Sequence, residues 1–259
     1  MRASSKRITF IGSGNVASHF AKALHQKGNT IVQVWSRNKV HAEALASQVG
    51  ASATNSWEEI SQETDVVIIA ISDDALYHFP VVLHFNNTLV LHTSGSAPLE
   101  TLCSTSTRYG VLWSPQSFVQ NVPMDYASLP LCIEGNTKAS EEAIRHLVEP
   151  VSSHIFTLNG IQRRWVHLCA VMANNFGNAL NASAEQLMEQ QQIPFEILHP
   201  IITLTSQKAL NGALWKQQTG PAVRRDEKTL DAHRDLLKEQ PQLLELYNIM
   251  TRIIQDGTH

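Results

Sequence analysis

The sequence predicts an α/β domain built on a doubly wound parallel sheet over residues 1–159, followed by an all-helical domain over residues 160–259. Three observations carry that prediction. Short β-rich runs alternate with helical patterns through the first part of the chain, and the most buried-looking run, Val66 to Ile71, is apolar throughout, as strands covered on both faces are. A glycine-rich turn separates the first strand from the first helix. Beyond about Gly160 the β-like runs stop and long helical patterns take over.

In chain order, Arg7 to Ile11 is a strand, followed by Gly12-Ser13-Gly14 and an amphipathic helix from Asn15 to Gln26. Thr30 to Trp35 is the second strand and Lys39 to Val49 the second helix. Asp65 to Ile71, Thr88 to His92, Gly110 to Trp113, Leu131 to Ile133 and His154 to Leu158 supply further strands. The helical part reads as Ile161 to Gln192, Phe195 to Leu210, Asp226 to Glu239 and Pro241 to Ile254, with breaks at Ile193-Pro194 and Thr219-Gly220-Pro221 and a kink at Pro200. No internal repeat or low-complexity segment is evident.

Composition narrows the class. Lys plus Arg number 20 and Asp plus Glu 23 in 259 residues, so charged residues are 17% of the chain. That is below the usual ~25%, as expected of a chain whose surface is partly covered by a second copy. A net charge of −3 offers no broad basic surface for nucleic acid or an anionic membrane. Cys103, Cys132 and Cys169 are odd in number and lack metal-ligand spacing, which fits a reducing, cytoplasmic compartment. No apolar run approaches the ~20 residues that span a bilayer, and the apolar segment after Met1–Arg7 is too short for a secretory leader.

Gly12-Ser13-Gly14-Asn15-Val16-Ala17 has the form G-x-G-x-x-A between a strand and a helix. Gly12 permits the tight turn, Gly14 lets the backbone approach a pyrophosphate, and Ala17 allows close helix–strand packing, with phosphate on the helix N-terminus. At the end of the second strand an NAD site would place an acid for the ribose hydroxyl. Here stand Ser36, Arg37 and Asn38, with no acid until Glu43. Arg37 can stack on adenine or pair with a 2′-phosphate, and Ser36 and Asn38 add hydrogen bonds, so NADP(H) is the expected cofactor. Ile71 and Ser72 close the buried strand, and His92-Thr93-Ser94-Gly95-Ser96 closes the next. Both loops should line the cofactor crevice. Asp73 reads as a helix cap, Gly95 as room for a nicotinamide ring, and His92 as either packed or facing the substrate.

On the first long helix, His167, Asn174, Asn178 and Asn181 fall within roughly 40° of one meridian at ~100° per residue. Asparagine is a poor helix former, so such a stripe points to hydrogen bonding, either with a ligand or across a helix interface. His167 is the histidine of that stripe and the proton-transfer candidate. Further on, Thr219 and Arg224 precede Asp226, a helix cap. That segment either receives a substrate carboxylate or phosphate or is a solvated capping loop.

The turn from Gly12 to Ala17, His92-Thr93-Ser94-Gly95-Ser96, Trp113-Ser114-Pro115-Gln116-Ser117-Phe118, His167 to Phe176, and Gln218 to Asp226 together resemble a bacterial family of proposed NADP oxidoreductases whose activity is largely unassigned. The resemblance extends over nearly the whole chain. It implies a Rossmann-type domain and a helical domain like that of 6-phosphogluconate dehydrogenase, with dimerisation through the helices and substrate bound between the domains. More distantly the chain is similar to pyrroline-5-carboxylate reductase and coenzyme F420-dependent NADP reductases. Related β-hydroxyacid dehydrogenases carry a lysine one helical turn before an asparagine. Here Ala170 and Val171 stand four residues before Asn174 and Asn175. The expectation is therefore an NADPH-dependent reductase of a small imine or carbonyl, with His167 donating a proton and Asn174 orienting the substrate. The rival reading is a non-catalytic NADP-binding sensor or scaffold.

Overall fold

A computed structural model describes residues 5–79, 83–120 and 122–257. Met1–Ser4, which precede the apolar segment read as too short for a leader, lie outside the described residues. The chain divides into two compact units, one ending at Asn178 and one beginning at Ala179.

The first unit is a covered sheet. Its elements are β1 (Arg7–Ile11), α1 (Asn15–Gln26), β2 (Thr30–Trp35), α2 (Lys39–Val49), β3 (Ser52–Thr54), β4 (Val66–Ile69), α3 (Asp73–Tyr77), β5 (Leu89–His92), β6 (Arg108–Trp113), β7 (Leu131–Gly135), α4 (Lys138–Val148), β8 (Ile155–Thr157) and α5 (Gly160–Ala170). The strand order is β3-β2-β1-β4-β5-β6-β7-β8, so the order reverses between β1 and β4, the place where open α/β sheets bind ligands. Period-two alternation sorts the strand side chains into two layers. Phe10, Ile68 and Leu91 pack with Phe20 and Leu24 of α1 on one face, while Ile11, Val67, Ile69 and Val90 pack with Leu76 and Leu102 on the other. A third, small cluster of Val111, Trp113 and Cys132 receives Leu158 and Val166, which seats α5 on the β6–β7 edge.

Local signals explain the helix ends. The Asn38 side chain accepts the Val40 N–H at the start of α2, and Gly50 ends that helix with φ of 66°. Thr137 caps α4. Asn159 and Gln162 form a reciprocal capping box at α5.

Two departures from the sequence reading have plain causes. β7 runs antiparallel to β6, not parallel. Among its described residues the connection between them has a single 3-10 turn, Tyr126–Ser128, and it holds Pro115, Pro123 and Pro130, a segment with no crossover helix among those residues to carry the chain back. The long helix expected from Ile161 is interrupted by a π-helical turn, Val171–Phe176. Its wider winding breaks the 100° phase. The meridian drawn through His167, Asn174, Asn178 and Asn181 assumes an uninterrupted α-helix and does not apply.

The second unit holds α6, which begins at Gly177 and runs to Gln190, then α7 (His199–Ala209), α8 (Pro221–Arg224), α9 (Glu227–Leu236) and α10 (Pro241–Gly257). Pro200 lies in the first turn of α7 after a 3-10 turn, where a missing N–H costs nothing, and so starts the helix and does not kink it. His233 Nδ1 and the Tyr247 hydroxyl lie 2.8 Å apart, and Arg234 donates to Asn248 at 3.0 Å, tying α9 to α10. Among the described residues no helix is long and apolar enough to cross a membrane.

Candidate functional site

At the carboxyl ends of β1, β2 and β4 lies a crevice of about 470 Å³ lined by Gly12, Ser13, Gly14, Ser36, Arg37, Ile71 and Ser72, with Trp35, Trp57, His78 and Phe79 as further walls. Its base is the turn into α1. Gly12 sits at φ of 118°, and a Cβ there would lie 2.1 Å from the Ala70 carbonyl oxygen, so only glycine fits between β1 and β4. Gly14 caps α1 and has open space where a Cβ would stand. The first turn of α1 has no acidic residue, and its backbone N–H groups have no helical acceptors. These features suit an anionic group.

The Ser13 hydroxyl donates to Ser36 Oγ at 2.9 Å, joining the turn to the end of β2. Arg37 is exposed beside it and, among the described residues, has no ion-pair partner. Asn38 Oδ1 is committed to the cap of α2. Trp35 and Trp57 stack with ring centroids 3.6 Å apart, and Phe79 meets Trp57 edge-on. Trp35 is buried beneath Trp57, and its Nε1 makes no hydrogen bond of ordinary geometry within the protein. The turn, the free guanidinium and the aromatic wall together fit the adenosine half of a dinucleotide. A larger cleft of about 1060 Å³ opens at the opposite end of the sheet, lined by Lys6, Lys27, Asp65 and Arg108. The C-terminal ends of α1 and α4 reach it, and their partial negative charge opposes a phosphate, so it is not the dinucleotide site.

Asn15, expected at the cofactor, spends its amide on the Phe118 carbonyl at 2.9 Å. His19, one turn on, donates to the Val119 carbonyl at 2.9 Å and accepts from the Tyr126 hydroxyl at 3.0 Å. The two side chains therefore hold the β6–β7 connection against α1. Val16 packs into the core. Ser72, not Asp73, caps α3, accepting from Ala75 N–H at 3.4 Å. Asp73 instead accepts a short hydrogen bond from Ser96.

The loop after β5 is a closed turn. His92 is wholly buried, its Nδ1 accepts the Ser94 N–H at 3.1 Å, and Nε2 makes no hydrogen bond of ordinary geometry. Burial above all, then Arg163, holds its pKa down to about 4, against smaller opposing effects of the Pro98 carbonyl and Asp73. In the single chain the His92 ring is therefore enclosed by protein and favoured as neutral. Ser94 Oγ accepts the N–H groups of Ser96 at 3.1 Å and Ala97 at 2.9 Å and so shapes the turn. The space beside Gly95 is filled by protein: a Cβ would stand 2.8 Å from Trp113 and 3.0 Å from His167 Nδ1. Gly95 makes room for these two rings, not for an open approach. His167 is half-buried and meets Trp113 edge-on at 5.8 Å. The structure thus brings His167 to the Ser94–Gly95 turn at the carboxyl end of β5.

Asn174 lies in the exposed π turn, and Asn178 is exposed where α6 begins. In the second unit Thr219, before the short α8, and Arg224, its last residue, are exposed, and Asp226 caps α9 by accepting from Thr229. Sequence reasoning missed Trp57, Phe79 and Arg163. The two aromatics stand in or beside irregular connections without periodicity, and Arg163 looks in sequence like any polar helix residue. Among the described residues no cluster could hold a metal ion.

Comparison with known proteins gives one match in each part of the chain. Residues 7–87 match the family model described as NADP oxidoreductase coenzyme F420-dependent, and residues 129–254 match the domain of unknown function DUF2520. A search of curated proteins finds no significant match. The crystal structure of a Bacteroides fragilis protein provisionally named as an NADP oxidoreductase is similar at 30% identity and TM-score 0.90, over 97% of this chain and 98% of that one. A Thermotoga maritima protein is similar at 19% identity and TM-score 0.80, over 97% and 99%. A reductive aminase from Aspergillus terreus, in complex with NADPH and ethyl-5-oxohexanoate, shares the fold at 14% identity and TM-score 0.73, over 98% and 96%. Full-length likeness to the Bacteroides protein, with an oxidoreductase match over the first part of the sheet and a DUF2520 match over its last two strands and the helices, shows that the chain belongs to a family of NADP oxidoreductases.

Proposed function

We propose that the chain is an NADPH-dependent reductase of a small imine or carbonyl compound. The observation that carries this reading is the half-buried His167 imidazole resting on Gly95 and Trp113 at the carboxyl end of β5, in the same unit as a turn and free arginine suited to NADP(H). When bound, NADPH supplies the hydride. The N–H groups at the start of α1 hold the pyrophosphate, Arg37 and Ser36 hold the 2′-phosphate, and Trp57 offers its face to adenine. His167 donates a proton to the nitrogen or oxygen of the reducible double bond, completing the addition that hydride begins at carbon. Asn174, exposed beyond it, orients the substrate. The reductive aminase that shares this fold supports a C=N or C=O substrate. The absence of lysine at Ala170 and Val171 supports a route that does not use one.

Two broader features belong to the same reading. Ile161, Trp165 and Leu168 of α5 and Met172 and Phe176 of the π turn are exposed apolar residues, suited to contact with a second copy of the chain. Cys103, Cys132 and Cys169 are free thiols, which supports a reducing, cytoplasmic compartment.

The test is a panel of small cyclic imines, ketones and keto acids with or without amines, following loss of NADPH absorbance. Turnover should be found, and His167→Asn should lower kcat by about 10²-fold, the usual scale for losing a general acid. Turnover unaffected by His167→Asn removes the proton-donor role. Tight NADPH binding with no oxidation across the panel favours the sensor reading.

A further inference from the structure

Arg163 is the largest side chain with almost no exposure, at 1%. It lies on α5, and its guanidinium reaches two other elements: the Glu134 carboxylate of β7 and the Ala97 carbonyl, the latter at 2.6 Å. The other oxygen of Glu134 accepts the first N–H of α5, from Gly160, at 2.9 Å. A buried ion pair contributes little net stability over well-packed apolar residues, because desolvation offsets the attraction. What it does supply is fixed geometry, since a planar guanidinium holds two acceptors in set directions.

That geometry is set where the proposed chemistry lies. His167 is four residues beyond Arg163, one turn along the same face of α5. Ala97 is two residues beyond Gly95, and the turn between them is already stiffened by Ser94 Oγ, His92 Nδ1 and the Asp73–Ser96 bond. Gly95 in turn leaves only enough room for Trp113 and the His167 ring. A slip of α5 against the β5 turn would therefore move His167 away from Gly95 without touching the dinucleotide crevice.

We propose that Arg163, bridging Glu134 and the Ala97 carbonyl, is the positioning residue that sets the His167 imidazole against the Ser94–Gly95 turn. The functional part of this inference rests on the proton-donor reading of His167; the geometric part does not. Arg163 touches neither cofactor nor substrate and acts through His167. Lysine in its place has its donors on one nitrogen at the end of a flexible stem and cannot hold both acceptors in the same fixed directions.

The test uses the full-length protein and the His167 ring resonance, assigned in a carbon–proton NMR spectrum by its loss in His167→Asn. In the parent the edge-on Trp113 ring shifts this resonance. Arg163→Met and Arg163→Lys should move it toward the free-imidazole position, with the smaller movement in Arg163→Lys, while NADPH affinity changes by no more than about threefold. With any substrate turned over, kcat should fall about tenfold or more at nearly constant KM, as misplacement of a reacting group predicts. If Arg163→Met does not fold, Arg163→Lys and Glu134→Gln carry the same measurement. A His167 resonance unmoved in the folded variants overturns the proposal. Turnover retained in His167→Asn would defeat the proton-donor reading alone, because the resonance shift reports position whether or not that proton is used.

Discussion

At single residues, two positions turn geometry into numbers. Gly12 combines a left-handed backbone with a Cβ site 2.1 Å from the Ala70 carbonyl oxygen. Gly12→Ala should cost about 3 kcal/mol or more from strain and overlap together, read as a lower urea midpoint, and should abolish NADPH binding. An unchanged midpoint would mean that β1 and β4 separate easily. His92 makes a prediction in pH. Its folded pKa of about 4 lies below the ordinary value of 6.5, chiefly because the ring is buried, with Arg163 adding to the effect and Asp73 opposing it. The unfolded chain therefore takes up a proton before the folded one. The stability held by neutral His92 is complete above about pH 6.5 and is lost as pH falls toward 4, by about 3 kcal/mol at most. His92→Gln should remove that part of the acid slope in a stability–pH curve; identical slopes would show that His92 is protonated without cost.

At the scale of elements, the β6–β7 connection is the most informative. Asn15 and His19 of α1 hold it by three hydrogen bonds, and Phe118 packs on both His19 and Phe20. His19→Leu leaves the Val119 carbonyl and the Tyr126 hydroxyl without partners, at a cost of about 2 kcal/mol. Brief protease treatment should then cut between residues 114 and 130 faster than in the parent. Equal cutting rates would show that the connection is held elsewhere. The ease of reading each element follows its physics. β1, β2, α1 and α2 stand out in sequence because long apolar runs and helical periodicity are imposed by burial on the sheet. β3 has three residues, too few to establish a period, and α3, with five, shows in sequence only through its cap signal. α4 has clear amphipathic spacing and a Thr137 cap, and was overlooked between two strands. The antiparallel turn into β7 and the π turn depend on contacts between distant segments, which local patterns do not encode.

For the whole molecule, the same contrast separates the two halves of the site. The phosphate turn was readable because its glycines are dictated by backbone approach, which a single motif records. Arg163 was not, because its partner Glu134 is 29 residues away and a buried arginine is indistinguishable from a solvated one in sequence. The low charge content takes on a structural meaning in apolar residues such as Trp165 and Leu210, which are exposed in the single chain. Sedimentation should show a dimer, and Trp165→Glu with Met172→Glu should shift it toward monomer; a monomeric parent would leave that surface to another partner. The crevice at β1, β2 and β4 should bind NADP(H) through Arg37, and titration by nicotinamide fluorescence measures this. The parent should bind NADPH at least about tenfold more tightly than NADH, a difference of about 1.4 kcal/mol, and Arg37→Ala should erase that preference. Equal affinity of the parent for the two cofactors, or a preference that survives Arg37→Ala, would contradict it.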